Sequence, residues 1–332
     1  MKKFNEIFID KTKYGEKIQT SEYEKQGKHI IVDQGQAEIA GYTNREEGLF
    51  KEVPVIIFGD HTRVIKYIDE PFFLGADGVK VLRSKEKNAN YKYLYYALKS
   101  AKIPNTGYNR HFKWLKDVEI NYPDSVKQEK IVDILDRVSN VIEKRKAELC
   151  SLDALIKARF VEMFESVQET CEVGYYVKSL IAGKSLAGEL ECENKVLKTG
   201  AVSFDYFDVS QMKNLPVGYK PQKEHLVNAG DIIISRMNTA ELTGAAAYVW
   251  SVPEKVYIPD RLWKAVLEEK CNPIFVWQML IQPSTKEQIK RECSGTSGSM
   301  KNISKSGLLG IKVKKVHIEL QNQFADFVKQ ID

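Results

Sequence analysis

Over the first 124 residues, short hydrophobic runs alternate with turn residues, which is the spacing of strands. Residues 53–58 read as a strand interrupted by Pro54, Gly59-Asp60 turns the chain, and 64–68 continues it. Gly75 and Gly78 punctuate a further strand over 79–82. Residues 91–99 carry a helical period, and 118–120 form a last strand before Pro123. Between 128 and 164 the period changes, and no Gly or Pro occurs in a chain that holds 20 and 10 of them. Apolar residues fall at Ile131, Leu135, Val138, Ile142, Leu149, Leu152, Ile156 and Met163, with Arg145 and Arg159 at two positions of the same seam. This alternating step of four and three predicts one long helix with a coiled-coil stripe. Its 37 residues would span roughly 55 Å at 1.5 Å per residue.

Residues 126–165 hold eight basic and eight acidic side chains, so the rest of that helix is a balanced, solvated face. A stripe of this length needs a partner helix from this chain or another. Beyond 165 the strand pattern returns at 196–203, 231–235, 245–250 and 263–267. A helix follows over 272–281 with Pro273 at its start, then a Ser/Gly-rich loop at 294–299, a strand at 310–313 and a terminal helix.

An offset of 193 residues overlays two of these segments. Val118-Glu119-Ile120 falls on Ile311-Lys312-Val313, and Gln128, Ile131, Val132 and Asp133 fall on Gln321, Phe324, Ala325 and Asp326. Ile134, Leu135 and Val138 fall on Phe327, Val328 and Ile331. Upstream, Val55-Ile56-Ile57 resembles Ile232-Ile233-Ile234, and residues 79–82 resemble 264–267. The pattern predicts an α+β chain: two similar mixed α/β domains separated by a long helix, with a short equivalent helix at the C-terminus in a pseudo-two-fold repeat. The expected boundaries are 1–125, 126–166, 167–318 and 319–332. The last segment should pack on the spacer helix through Phe324, Val328 and Ile331. It covers only a few turns of that helix, so another subunit or further chain is expected to cover the rest.

Composition narrows the class. At 332 residues with 43% hydrophobic and 29% charged side chains, the chain suits two or three globular domains rather than a disordered or membrane-embedded protein. The longest apolar runs are strand-sized, and residues 1–10 lack a signal-like stretch, so the expected compartment is the cytoplasm with no membrane partner. Five scattered cysteines without a CxxC pair argue against zinc and against a disulfide framework. A net charge of +5 permits contact with nucleic acid without establishing it.

The layout resembles the specificity subunit of type I restriction–modification systems. The residues that carry the likeness are Val118-Glu119-Ile120, Gln128 through Asp136, the helix exit Lys157 through Phe164, and Ile31-Val32-Asp33-Gln34-Gly35 with Ile39-Ala40-Gly41-Tyr42. The resemblance implies two target-recognition domains, each reading half of a bipartite double-stranded DNA site. It implies helices that set the gap and dock two methyltransferase (modification) subunits, with a restriction/translocase subunit joining the complex. No cofactor is expected in this subunit; S-adenosylmethionine, ATP and Mg would be used by the partners. Self-association through an uncovered helix is a further expectation.

Motifs for catalysis are weak. Gly183-Lys184-Ser185 lacks the leading glycine of a phosphate loop. Asn121-Tyr122-Pro123-Asp124 has the wrong order for an amino-methyltransferase, and no G-x-S-x-G occurs. Asp260 with Glu268 and Lys270 matches the letters of a metal-dependent nuclease and stands as the enzymatic alternative. A helical adaptor without DNA binding is the other alternative. The expected role is non-catalytic.

Base readers and phosphate contacts belong on loops that project from buried strands. In the first domain these are His61, Thr62 and Arg63 after one strand, and Thr106, Asn109, Arg110, His111 and Lys113 around Gly107. In the second they are Ser235, Arg236 and Asn238, then Thr296, Ser297, Ser299, Lys301 and Asn302, with Arg261 and Lys264 as phosphate contacts. Phe112, Trp114, Trp250, Trp263 and Trp277 are assigned to the core.

Overall fold

The computed structural model describes every residue except 76, 108, 296–299 and 332. The chain divides into two compact units, Met1–Lys146 and Ala147–Asp332.

Unit 1 opens with β1 (Lys2–Lys3), α1 (Phe4–Ile7) and β2 (Phe8–Asp10). It continues through β3 (His29–Val32), β4 (Gly41–Thr43), β5 (Val55–Gly59), β6 (Ile65–Ile68), β7 (Phe72–Leu74) and β8 (Val79–Ser84). The helices α2 (Tyr91–Lys99) and α3 (Phe112–Leu115) precede β9 (Glu119–Ile120), and α4 (Ser125–Phe164) begins after it. Three sheets result: a four-stranded antiparallel one in the order β2-β8-β5-β6, a three-stranded one in the order β4-β3-β7, and the pair β1-β9. Strand alternation assigns the two faces. Ile56, Phe58 and Leu82 point to α2, where Leu94 and Leu98 meet them. Val55, Ile57, Val79 and Val81 point to the small sheet, against Ile30, Val32, Phe72 and Leu74.

Unit 2 repeats this plan. Its strands are β10 (Thr170–Glu172), β11 (Val177–Ala182), β12 (Lys195–Leu197), β13 (Met212–Asn214), β14 (Ile232–Ser235), β15 (Met237–Asn238), β16 (Ala246–Tyr248), β17 (Val256–Tyr257), β18 (Leu262–Leu267), β19 (Lys301–Asn302) and β20 (Lys312–Lys314). Its helices after α4 are α5 (Pro273–Leu280), α6 (Pro283–Glu292), α7 (Lys305–Leu309) and α8 (Ile318–Ile331). The four-stranded order β11-β18-β14-β16 matches that of unit 1. So does the three-stranded order β13-β12-β17, which again has one antiparallel and one parallel neighbour, and so does the pair β10-β20. The pair β15-β19 belongs to unit 2 alone among the described residues.

The 193-residue offset holds at the domain exits. Gln128 and Gln321 are both buried, and each donates its side-chain amide to a backbone carbonyl five residues earlier, Pro123 and Val316 respectively, at 2.8 Å. Leu115 and Leu308, also 193 apart, are fully enclosed in their units. Upstream, the register differs from the sequence overlay. Ile56 and Ile232 both face the helical side of their sheets, pairing with Leu82 and Ala265. The equivalent triplet is therefore Ile56-Ile57-Phe58, and residues 79–82 correspond to 262–265 rather than 264–267. A slip of one position inverts every side chain across a sheet, and three successive isoleucines cannot show that in sequence.

The long helix starts three residues before the expected 128, because Asp124 accepts the Lys127 N–H at 2.9 Å and caps it. Near its start, Ile131 and Val132 pack on the unit 1 core. There Asp136 receives hydrogen bonds from the Tyr96 hydroxyl at 2.6 Å and the Lys92 ammonium at 2.7 Å. At its end, Ile156, Phe160 and Phe164 are buried in the unit 2 core with Phe275, Phe324, Ala325 and Val328. Of the expected seam, Ile156 is buried. Ile131, Leu135, Leu152 and Met163 are half-buried, whereas Val138, Ile142 and Leu149 are exposed. Helix α8 covers the last turns of α4: Phe324 meets the rings of Phe160 and Phe164, and the Arg159 guanidinium lies 5.7 Å from the Phe327 ring centre. Phe160 and Phe164 fall outside the heptad stripe because a 3.6-residue helix drifts from a 3.5-residue pattern.

Candidate nucleic-acid interface

In unit 1 the turn after β5 is built around Asp60, which is buried. Its N–H donates to the Gly78 carbonyl at 2.7 Å, and its own carbonyl accepts the His111 N–H at 2.7 Å. Its carboxylate accepts the Phe112 N–H at 2.8 Å. One residue thus joins the β5–β6, β7–β8 and 106–113 loops. His111 is fully buried, its Nδ1 lying 3.0 Å from the Asp60 carbonyl. That corrects its assignment as a base reader: it braces the loop from inside.

The remaining unit 1 candidates divide by exposure. Thr62, Thr106, Asn109, Arg110 and Lys113 are exposed, while His61 and Arg63 are half-buried. Arg63 adopts φ +61 and donates to the Ile103 carbonyl at 3.3 Å, so its guanidinium is partly committed to the fold. The Asn109 side chain donates to the Thr106 carbonyl. Lys113 lies over the Trp114 ring, 4.1 Å from its centre. Two residues not assigned as contacts from the sequence join this face. Gln34 bonds the chain at His61 and at Asp77. The Asp77 carboxylate is exposed; the adjacent Lys17 ammonium holds it below the usual carboxylate range, and the charge of Arg110 acts in the same direction. Gln34 stands in the Ile31–Gly35 segment that carries the family resemblance, and the sequence signal for Asp77 was the neighbouring Gly78.

Unit 2 makes the same backbone junction with other side chains. The Arg236 N–H donates to the Arg261 carbonyl and its carbonyl accepts the Ile303 N–H, both at 3.1 Å, as Asp60 does with Gly78 and His111. Arg236 and Ile303 therefore share the backbone junction that Asp60 and His111 make in unit 1. The Arg236 guanidinium lies 5.6 Å from the centre of the Trp263 ring, and its Nε has no hydrogen-bond partner among the described residues. Asn238 bonds the Ser203 hydroxyl at 3.4 Å. Arg261 is exposed, and Lys301 donates to the Gly295 carbonyl at 2.6 Å.

Three unit 2 candidates are structural. Ser235 is fully buried at the end of β14. Lys264 is turned inward, donating to the Leu226 carbonyl at 2.6 Å with Asp231 3.8 Å away, where burial pushes the Asp231 carboxyl up. Asn302 is held in β19 opposite Met237 and encloses its side-chain oxygen. Of these three expected DNA contacts, Ser235 is enclosed, and Lys264 and Asn302 are half-buried with their polar atoms directed toward the fold. Thr296, Ser297 and Ser299 lie outside the described residues.

The nuclease letters do not converge. Asp260 and Glu268 flank β18, and an extended strand separates them by about 25 Å at 3.3 Å per residue. The Ser185 hydroxyl bonds the Asp260 carboxylate, and no cluster of three metal-ligating side chains occurs among the described residues. No helix among the described residues is long and apolar enough to cross a membrane.

Residues 1–150 match the type I restriction modification DNA specificity domain family. The chain is 30% identical over 132 residues to the EcoR124I/EcoR124II specificity subunit of Escherichia coli, a match that covers 36% of this chain and 33% of that protein. To the EcoEI specificity subunit of the same organism it is 24% identical over 174 residues, covering 49% of this chain and 29% of that one. The chain thus matches a third or less of the length of these relatives. In fold, the S subunit of a type I restriction-modification system from M. genitalium is similar over 100% of this chain and 88% of its own, with a TM-score of 0.55 at 17% identity. The N-terminal unit thus matches the type I restriction modification DNA specificity domain over residues 1–150, and the second unit repeats its strand order.

Proposed function

We propose that this chain is the non-catalytic DNA-specificity subunit of a type I restriction–modification complex. Each unit reads one half of a bipartite duplex site, and α4 fixes the gap between the halves. The observation that carries the reading is the duplicated loop junction. Asp60 and Arg236 occupy one backbone position in two units of equal strand order, yet their side chains do different work: the Asp60 carboxylate is turned inward onto the Phe112 N–H, and the Arg236 guanidinium lies beside Trp263. A shared backbone frame carrying different loop side chains suits two recognition heads for different base sequences. Direct readout falls to side chains that reach base edges, with Arg110 and Arg236 as the leading candidates. Phosphate contacts fall to Lys113, Arg261 and Lys301.

The exposed apolar residues Val138, Val141, Ile142 and Leu149 along the middle of α4 support docking of partner helices there. On this reading two modification subunits and a restriction/translocase subunit supply the chemistry with S-adenosylmethionine, ATP and Mg, and the complex works on cytoplasmic DNA. The test is selection from a pool of randomised duplexes by the full chain, alone and with its modification subunits. The expected result is two preferred tracts separated by indifferent positions. Failure to retain any duplex with the partners present would instead leave a helical adaptor.

A further inference from the structure

We propose that Gln34 is a positioning residue that fixes the reading loop of unit 1, so that its side-chain amide governs base selection at one half-site and not at the other. The inference rests on the reading of unit 1 as a recognition head.

Gln34 follows β3 on the loop that leads to β4. Its Oε1 accepts the His61 N–H at 3.2 Å, and its Nε2 donates to the Asp77 carbonyl at 2.9 Å. Its own carbonyl accepts the Thr62 hydroxyl at 2.6 Å. One side chain therefore bonds both the β5–β6 loop and the β7–β8 loop while its backbone holds Thr62. The surrounding backbone is shaped to admit it. A Cβ on Gly78, at φ +92, would stand 2.7 Å from Nε2, and one on Gly59 would stand 3.0 Å from the Gln34 Cβ. Gly78 leaves room for the amide itself, and Gly59 leaves room for the stem of the side chain and for the Thr62 hydroxyl.

The chemistry demands glutamine. The site needs one acceptor and one donor on a single planar group, directed to two different loops. Glutamate supplies the acceptor and sets a carboxylate oxygen against the Asp77 carbonyl. Asparagine is one methylene too short to reach both. The loops so held carry His61, Thr62 and Arg63 on one side and the exposed Asp77 carboxylate on the other. A shift of about 1 Å in such a frame is enough to misdirect a bidentate base contact.

Unit 2 lacks this device. The registers Ile30 with Phe72 and Lys195 with Val256 place Thr199 at the position of Gln34. There the corresponding loop is tied by Asn238 to Ser203 instead. Dependence on the amide should therefore be confined to one half of the target.

The experiment compares wild type with Gln34→Ala and Gln34→Glu, using the full chain with its modification subunits on a duplex pool randomised at both halves. Gln34→Ala is expected to reduce base preference at one half-site at least tenfold, to leave the other unchanged, and to bind random duplex at low salt within twofold of wild type. Hydrogen exchange at the His61 amide should accelerate in Gln34→Ala and stay slow in Gln34→Glu, which keeps the acceptor. Unchanged preference at both halves, equal loss at both, or a His61 amide indifferent to Gln34→Ala would overturn the proposal. If Gln34→Ala does not fold, the near-isosteric Gln34→Glu decides: loss of preference at one half supports the donor bond to Asp77, and no loss overturns it. A wild-type protein that selects no tract at all refutes the recognition-head reading itself, a result distinct from selection that ignores Gln34.

Discussion

Replacing Phe164 by alanine tests whether the end of the long helix is part of the unit 2 core. Phe164 is 1% exposed, and its ring lies 4.8 Å from Phe160, 5.2 Å from Phe275 and 5.5 Å from Phe324, centre to centre. Three aromatic neighbours drawn from α4, α5 and α8 cannot all collapse into the space a lost phenyl leaves. The cost should therefore fall in the usual range for such truncations, about 3–5 kcal/mol. With a urea dependence of about 2 kcal/mol per molar, the unfolding midpoint of unit 2 should drop by roughly 1.5–2.5 M. Tryptophan fluorescence reports it well, since Trp250, Trp263 and Trp277 lie in unit 2 and only Trp114 in unit 1. The control is Val161→Ala in the unit 2 part of the same helix, where a 49% exposed side chain should cost less than about 0.5 kcal/mol. A Phe164→Ala midpoint within 0.2 M of wild type, or a Val161→Ala loss of the same size, would refute the assignment of core and solvent-facing turns.

Tyr176→Phe removes a buried hydroxyl that donates to the Lys314 carbonyl at 3.0 Å and accepts the Val316 N–H at 2.8 Å, so it should cost about 1–3 kcal/mol in urea unfolding. Burial pushes this phenol well above its ordinary value. The unfolded chain loses the proton near pH 10 while the folded chain keeps it, so stability should fall as pH rises past about 10. Tyr176→Phe should flatten that fall, and an unaltered alkaline slope would contradict the assignment. Arg110→Ala and Arg236→Ala should each relax base preference at a different half-site, read by duplex selection; equal losses on specific and random DNA would mark both as phosphate contacts.

Much of the frame is legible from the sequence, and the limits have physical causes. The helix without Gly or Pro, the offset joining Gln128 to Gln321, and Pro273 at a helix start all signal through local chemistry that survives in any context. Helix α6 was not legible: Pro283 opens it well, but Thr285 and Ile289 are its only buried residues, too few to show a period. The triple isoleucine at 232–234 hid its register, because an unbroken apolar run carries no alternation. Among the site candidates, His111, Ser235 and Lys264 have the composition of readers and the burial of braces. Loop composition cannot distinguish the two, since both need hydrogen-bonding side chains next to turns. Gln34 was legible as part of the family resemblance but not as a site residue: its partners lie 27 and 43 residues away and are backbone groups, which leave no mark on side-chain identity.

The most direct test of the two-headed reading is to insert one heptad beside Ser151 in α4 and map the selected duplexes again. Seven residues add about 10 Å and turn the helix by only about 20° from whole turns, so both units keep nearly their orientation. The account predicts the same two preferred tracts with the gap lengthened by about three base pairs at 3.4 Å each. Retention of both tracts at the original gap would contradict it.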